Sequence, residues 1–259
     1  MPKFATNLSL MFAEVEFLQR FERAAHAGFQ AVEFQFPYAW PAAQIAEQAR
    51  KHNLKVVLHN LPAGNFDAGE RGIACLPGRE ADFQQSVGKA IEYAQALACP
   101  MLNCLAGLRP IGVTEDKLRK TLIANLRFAA AALAKANIKL LVEPLNSLDM
   151  KGFYLVHTLD ALRLFDEVNH PNLWLQYDIY HMQVMEGDLT RSIRTHLPRI
   201  AHMQFADNPG RNEPGTGEIN FPNLFRAIDQ AGYTGWLGAE YKPSGKTEDG
   251  LGWMKPYVK

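Results

Sequence analysis

Short apolar runs alternate with longer amphipathic stretches along the whole chain. Eight of the runs are predicted strands: Lys3 to Leu10, Ala31 to Pro37, Lys55 to Leu61, Met101 to Ala106, Lys139 to Leu145, Asn172 to Tyr180, Ile200 to Ala206 and Gly235 to Tyr241. Runs such as LKVVLHNL and IKLLVEPL are almost continuously apolar, as strands covered on both faces should be. Between them apolar side chains recur at helical spacing. Phe17, Leu18, Phe21, Ala24 and Ala25 share one face of a first helix closed by Gly28. Leu118, Leu122, Leu126, Ala129 and Leu133 stripe a long helix entered through Thr114, with Glu115 and Asp116 in its first turn. Leu162, Phe165 and Val168 mark another after Thr158. Pro222 opens one that carries Leu224, Ile228 and Ala231 and ends at Gly232.

Eight strand-then-helix units predict a (β/α)8 TIM barrel forming a single domain over residues 1–259. An open doubly wound sheet uses the same alternation but expects a glycine-rich turn after its first strand, and LMFAEVEF has no glycine. The last helix is predicted short or irregular, because Gly245, Gly250, Gly252 and Pro256 interrupt it. Two connections, Pro62 to Arg79 and Asp207 to Glu218, exceed the usual length of about 2 to 6 residues. In a barrel the segments after strands build the catalytic face, so both are candidate lids.

Composition narrows the function. The 259 residues are 47% hydrophobic and 21% charged, which is ordinary globular material. Basic and acidic residues number 27 each, so the cationic excess expected of a nucleic-acid or anionic-membrane binder is absent. Three cysteines with no C-x-x-C pair argue for a reducing compartment. The first residues lack the layout of a secretory leader, and no apolar run approaches about 18 residues. A cytoplasmic protein without nucleic-acid or membrane partners is expected; homo-oligomerisation is left open.

The most specific chemistry sits where the later strands end. Glu143 follows KLLV, Asp178 follows LWLQY, Gln204 follows IAHM and Glu240 follows WLGA. Adjacent barrel strands converge, so these four side chains can meet above the core. Crowded carboxylates repel unless a cation neutralises them. Hard oxygen donors without thiolates favour one divalent ion, Mg²⁺ or Mn²⁺, over zinc. Taken singly, each is as well read as a strand-end polar group bonded to a loop. His181 should stand just above Asp178, His202 one layer below Gln204, and His59 either lines the mouth or bonds a neighbouring carbonyl. Lys242, two residues past Glu240, should face inward with it. With Arg211 it is a candidate for holding an anionic substrate, and Arg71 and Arg79 lie in the long third loop. Phe34, Phe36, Tyr38 and Trp40 should form a wall, and the cysteines should be small core residues.

The stretches FATNLSLMF, AVEFQFPY, LHNLPAGNFDAGERGIACLPGRE, LLVEPLN, QYDIYHMQ, ADNPGRNEPGTGEINF and EYKP resemble the hydroxypyruvate isomerase family of the xylose isomerase-like barrels, over essentially the whole chain. The resemblance implies that Glu143 and Glu240 are the catalytic acid/base pair and also metal ligands, with Asp178 and Gln204 completing the metal set. Many relatives carry histidine where this chain has Gln204. It implies that His181 and Arg211 contact substrate oxygens. It further implies a small anionic keto-acid substrate, enediolate chemistry and a place in glyoxylate metabolism. In that scheme Arg211 or Lys242 holds the substrate carboxylate, and Glu70 with Arg71 closes over it. GERGIACLPGRE favours hydroxypyruvate over the 2-oxo-tetronates used by close cousins. The rival classes are an isomerase or epimerase of larger sugars, a metal-dependent endonuclease and a non-catalytic binding barrel.

Overall fold

The computed structural model describes residues 1–257. Eight parallel strands close into a barrel in chain order. They are β1 (Lys3–Asn7), β2 (Ala31–Phe34), β3 (Lys55–Asn60), β4 (Met101–Cys104), β5 (Lys139–Val142), β6 (Leu173–Asp178), β7 (Ile200–Phe205) and β8 (Trp236–Ala239). Thr6 pairing with Ala239 joins the last strand to the first. The helices are α1 (Arg20–His26), α2 (Ala42–Lys51), α3 (Glu80–Ala96), α4 (Glu115–Lys135), α5 (Thr158–Val168), α6 (Ile179–Met185), α7 (Leu189–His196) and α8 (Phe221–Gln230).

Every expected strand forms, but each ends earlier than its apolar run. β5 ends at Val142 and β8 at Ala239, with one more main-chain bond from Glu240 N to Phe205 O at 3.0 Å; the chain then turns over the barrel rim, and Glu143 and Glu240 stand at these strand ends. The helix starts follow local chemistry. The Thr114 hydroxyl accepts from Lys117 N, Asn220 caps α8 through Asn223 N, and the Asp178 carboxylate caps α6. Two short helices, α6 and α7, connect β6 to β7. A 3-10 segment, Thr247–Met254, stands where an irregular last helix was expected; Val258 and Lys259, the end of that expected segment, lie outside the described residues. Among the described residues no helix is long and apolar enough to cross a membrane.

The barrel interior is divided by polarity. Ala5, Ala31, Val57, Leu58, Met101 and Leu141 plug its lower part, while the larger apolar cluster lies between strands and helices. Above the plug the interior is polar: Asn7, Glu33, Asn103, Gln176, His202 and Gln204 are all buried. Gly238 makes that layer feasible. A Cβ there would collide with both carboxylate oxygens and Cδ of Glu33, a side chain crossing the lumen to reach β7. Mid-strand glycine marks such a close approach. Gly238→Ala is expected to cost about 1–3 kcal/mol by overpacking, read as a lower midpoint in urea unfolding; an unchanged midpoint would show that Glu33 can move aside freely.

Candidate active site

The cavity at the C-terminal rim is lined by fourteen residues, among them Asn7, Phe34, Gln35, Glu143, Gln176, His181, Gln204, Arg211 and Glu240, and holds only about 60 Å³. Glu143, Asp178 and His181 bring ligand-type atoms within 4.8 Å of one another, all buried. Asp178 divides its labour. Its Oδ1 accepts from Tyr180 N at 2.8 Å and His181 N at 3.4 Å, while Oδ2 is buried without a hydrogen-bond partner. A buried anionic oxygen left bare beside a second carboxylate fits a cation.

The two glutamates are held differently. Glu143 Oε2 accepts from Asn103 Nδ2 at 2.9 Å. Glu240 Oε1 accepts from Asn7 Nδ2 at 3.2 Å and Gln35 Nε2 at 2.8 Å, and its Oε2 accepts from Arg211 at 3.0 Å. Burial, with Glu240 and Asp178 close by, pushes the Glu143 carboxyl well above the ordinary range. Burial and Glu240 raise Asp178 to about 7. Burial also raises Glu240, with Arg211 pulling the other way. Burial works against the Arg211 charge, yet Glu240, Asp178 and Glu143 together raise its pKa.

His181 has a fixed proton. Asn146 N donates to its Nδ1 at 3.1 Å, so Nδ1 carries no hydrogen and the neutral ring bears it on Nε2, 3.7 Å from Asp178 Oδ2. Burial and then Arg211 hold its pKa well below 6.5, keeping the ring neutral. Although it belongs to the close cluster, His181 therefore presents a donor to the cavity rather than a free lone pair.

Arg211 reaches the site from the long Asp207 to Glu218 connection, with its backbone in the left-handed region at φ 54°. Asp207 orders this loop. Its carboxylate accepts from the backbone amides of Asn208, Gly215, Gly217 and Ile219 at 2.8 to 3.1 Å. Lys242 N then donates to Arg211 O at 2.8 Å.

Four expected site residues stand elsewhere. The Lys242 side chain is exposed and lines no part of the cavity; strand alternation stops at Ala239, so its inward orientation did not follow. His59 points away from the lumen between Leu58 and Asn60, which do line it. It packs against Phe34, and burial lowers its pKa to about 4. Glu70 accepts from Asn65 N and Arg79 at 2.5 and 2.6 Å. Arg71 donates to the carbonyls of Phe66 and Glu70 and lies over the Phe66 ring. These charges satisfy their own loop instead of facing the cavity. Gln204 does line it, with Nε2 donating to Glu33 and Oε1 accepting from Gln176. Asn7, Glu33, Gln35 and Asn103 were not foreseen in the site. A lone glutamate inside AVEFQF and a glycine inside WLGAE were the available signals.

With this geometry the comparisons fall into place. The family model described as a xylose isomerase-like TIM barrel matches residues 21–257, and the chain belongs to that family. Within it, the chain is similar to hydroxypyruvate isomerase of Escherichia coli, 51% identical over 257 residues, spanning 99% of this chain and 100% of that one. It is also similar to 2-oxo-tetronate isomerase of Pectobacterium atrosepticum, 44% identical over 258 residues, spanning 100% and 98%. A solved structure described as an AP endonuclease, family 2, from Brucella melitensis superposes with a TM-score of 0.97 at 48% identity over the full length of both chains.

The raised Asp178 pKa carries a sign. The folded chain keeps a proton that the unfolded chain releases near 3.8, so this contribution to stability is full below about pH 4 and is lost as the pH rises through about 7. With chelator present, Asp178→Asn is expected to raise the Tm over wild type at about pH 8 and to change it little at about pH 4. Equal shifts at both pH values in thermal melts would contradict the assignment.

Proposed function

We propose that the chain interconverts hydroxypyruvate and tartronate semialdehyde (2-hydroxy-3-oxopropanoate) in the cytoplasm. The observation that carries this reading is a small buried cavity with Glu143 on one wall, Glu240 on another and a single cation, Arg211, among its lining residues. The full-length similarity to hydroxypyruvate isomerase supports it.

The reaction moves a carbonyl from C2 to C3. One glutamate takes a proton from C3 of hydroxypyruvate, leaving an enediolate across C2 and C3. A glutamate returns a proton at C2, and the C3 hydroxyl proton passes to the C2 oxygen, so no atoms or electrons are gained or lost. An ordinary carboxylate is a weak base for carbon. Burial raises both glutamates, helped by Glu240 and Asp178 beside Glu143 and by Glu33 beside Glu240, and makes each a stronger one. Three donors, the Arg211 cation among them, favour the charged form of Glu240, whereas Glu143 is met only by the neutral amides of Asn103 and Gln176; this asymmetry lets one carboxylate start charged while the other starts protonated. His181 Nε2–H donates to a substrate oxygen, and Arg211 pairs with the substrate carboxylate. Glu143, Asp178, Glu240 and the Gln204 amide oxygen would hold Mg²⁺ or Mn²⁺, whose charge would stabilise negative charge developing on the substrate oxygens.

The 2-oxo-tetronate isomerase relative supports a second reading, the same proton transfer on a four-carbon acid. A coupled assay comparing the two substrates, with and without added Mg²⁺ or Mn²⁺, decides between them. An endonuclease has less support, since the net charge is zero and phosphate binding calls for a basic groove.

Glu143→Gln and Glu240→Gln are each expected to lower kcat by at least about 100-fold, the scale of general-base catalysis. Near-normal turnover in either removes that residue from proton transfer. Arg211→Met is expected to raise KM at least about tenfold, the worth of one charge-assisted hydrogen bond, while Lys242→Met leaves it unchanged. The reverse pattern in steady-state kinetics would return carboxylate binding to Lys242.

A further inference from the structure

Beneath the cavity, one carboxylate gathers the side chains that face it. Glu33 is fully buried in the lumen. Its Oε1 accepts from Gln204 Nε2 at 2.6 Å and Asn7 Nδ2 at 3.1 Å, and its Oε2 accepts from His202 Nε2 at 2.6 Å. Gly238 leaves the space that its carboxylate occupies.

A side-chain amide has a donor end and an acceptor end of nearly the same shape, so its neighbours decide which way it points. For Gln204 the neighbours are Glu33 and Gln176. Gln176 supports the same orientation without fixing it alone: its NH₂ meets Gln204 Oε1 at 2.5 Å and also hydrogen-bonds the Glu143 carboxyl, but it is itself an amide, with its Oε1 buried without a partner. Glu33 accepts only. Turning Gln204 over would press its carbonyl oxygen against a carboxylate oxygen, both side chains being buried, and leave both unsatisfied.

We propose that Glu33 is a positioning residue that fixes the Gln204 amide with its NH₂ toward the barrel interior and its carbonyl oxygen toward the metal-holding carboxylates. The proposal rests on the reading of Gln204 as a metal ligand. Glu33 thereby makes an amide, a weak and reversible donor, behave as a one-sided oxygen ligand. His202 holds the other Glu33 oxygen in place. Asn7 extends the same control to Glu240: Ser9 N donates to Asn7 Oδ1 at 3.0 Å, so the Asn7 NH₂ faces Glu33 and Glu240 together. The order Gln204–Glu33–Asn7–Glu240 ties a metal ligand to a catalytic carboxylate without passing through the cavity.

The test is Mn²⁺ affinity of the full chain, measured by electron paramagnetic resonance with folding checked by circular dichroism. Glu33→Gln supplies an NH₂ that lets Gln204 turn, and is expected to weaken Mn²⁺ binding about 10- to 100-fold, the usual effect of losing a residue that orients a ligand. Gln204→Glu, with Glu33 intact, faces two carboxylates and is also expected to weaken binding, although a carboxylate is intrinsically the stronger ligand. Combining the two substitutions restores a donor opposite an acceptor in reversed order and is expected to recover most of the loss, which a merely structural role for Glu33 would not produce. Unchanged affinity in Glu33→Gln, or losses that simply add in the double variant, overturns the proposal. Should Glu33→Gln not fold, Gln204→Glu decides alone, and tighter Mn²⁺ binding there overturns it. A wild-type chain that binds no Mn²⁺ defeats the metal reading itself, an outcome distinct from wild-type binding that Glu33→Gln leaves untouched.

Discussion

Like charge confined among buried side chains governs the upper half of this barrel. Glu143, Asp178 and Glu240 converge above a layer that contains a fourth carboxylate, Glu33, and the cation among them is Arg211. No apolar packing stabilises such an arrangement; it persists because each oxygen is met by a donor, held as an acid or left open to a cation. The scaffold answers by assigning amides. Asn7, Gln35, Asn103, Gln176 and Gln204 surround the carboxylates, supplying donors without adding charge. Below them the lumen returns to alanine, valine, leucine and methionine. The polar layer thus rests on an incompressible floor, which limits how far its members can relax away from one another.

The fold was legible because parallel strands buried on both faces leave a periodic trace along the chain. Strand ends were less so. The apolar pattern of KLLVEPL or WLGAEY runs past the last ladder hydrogen bond, since the rim residues beside Glu143 and Glu240 are buried by loops and not by the sheet. The same fact misplaced Lys242, whose inward orientation assumed alternation that had already ended. Strand-end carboxylates could be found because each follows its own apolar run. Glu33 could not, because its partners come from β1 and β7 and no local spacing announces them. Its trace is indirect: a charged residue where burial is expected, and a glycine across the lumen where a larger residue would pack better.

The two long connections show opposite solutions to ordering a loop. The third one, Pro62 to Arg79, pairs its charges internally through Glu70, Arg71 and Arg79. It is fastened beneath by Cys75 N to Ala106 O at 2.8 Å and packs Phe66 against Phe36. Its polar groups need nothing from the cavity, so shifting it would strand no charge. The cysteines take no part in chemistry there: all three are buried, and burial pushes their thiols up to about 12.

The other connection is wound around Asp207, which collects four main-chain amides as a bound anion would. This internal anion has a consequence for affinity. Its loop becomes rigid when the protein folds, so the guanidinium at its tip needs no disorder-to-order step when a small acid arrives. Little of the free energy gained by pairing with that guanidinium is then spent on ordering the loop, so a small acid keeps most of it as affinity.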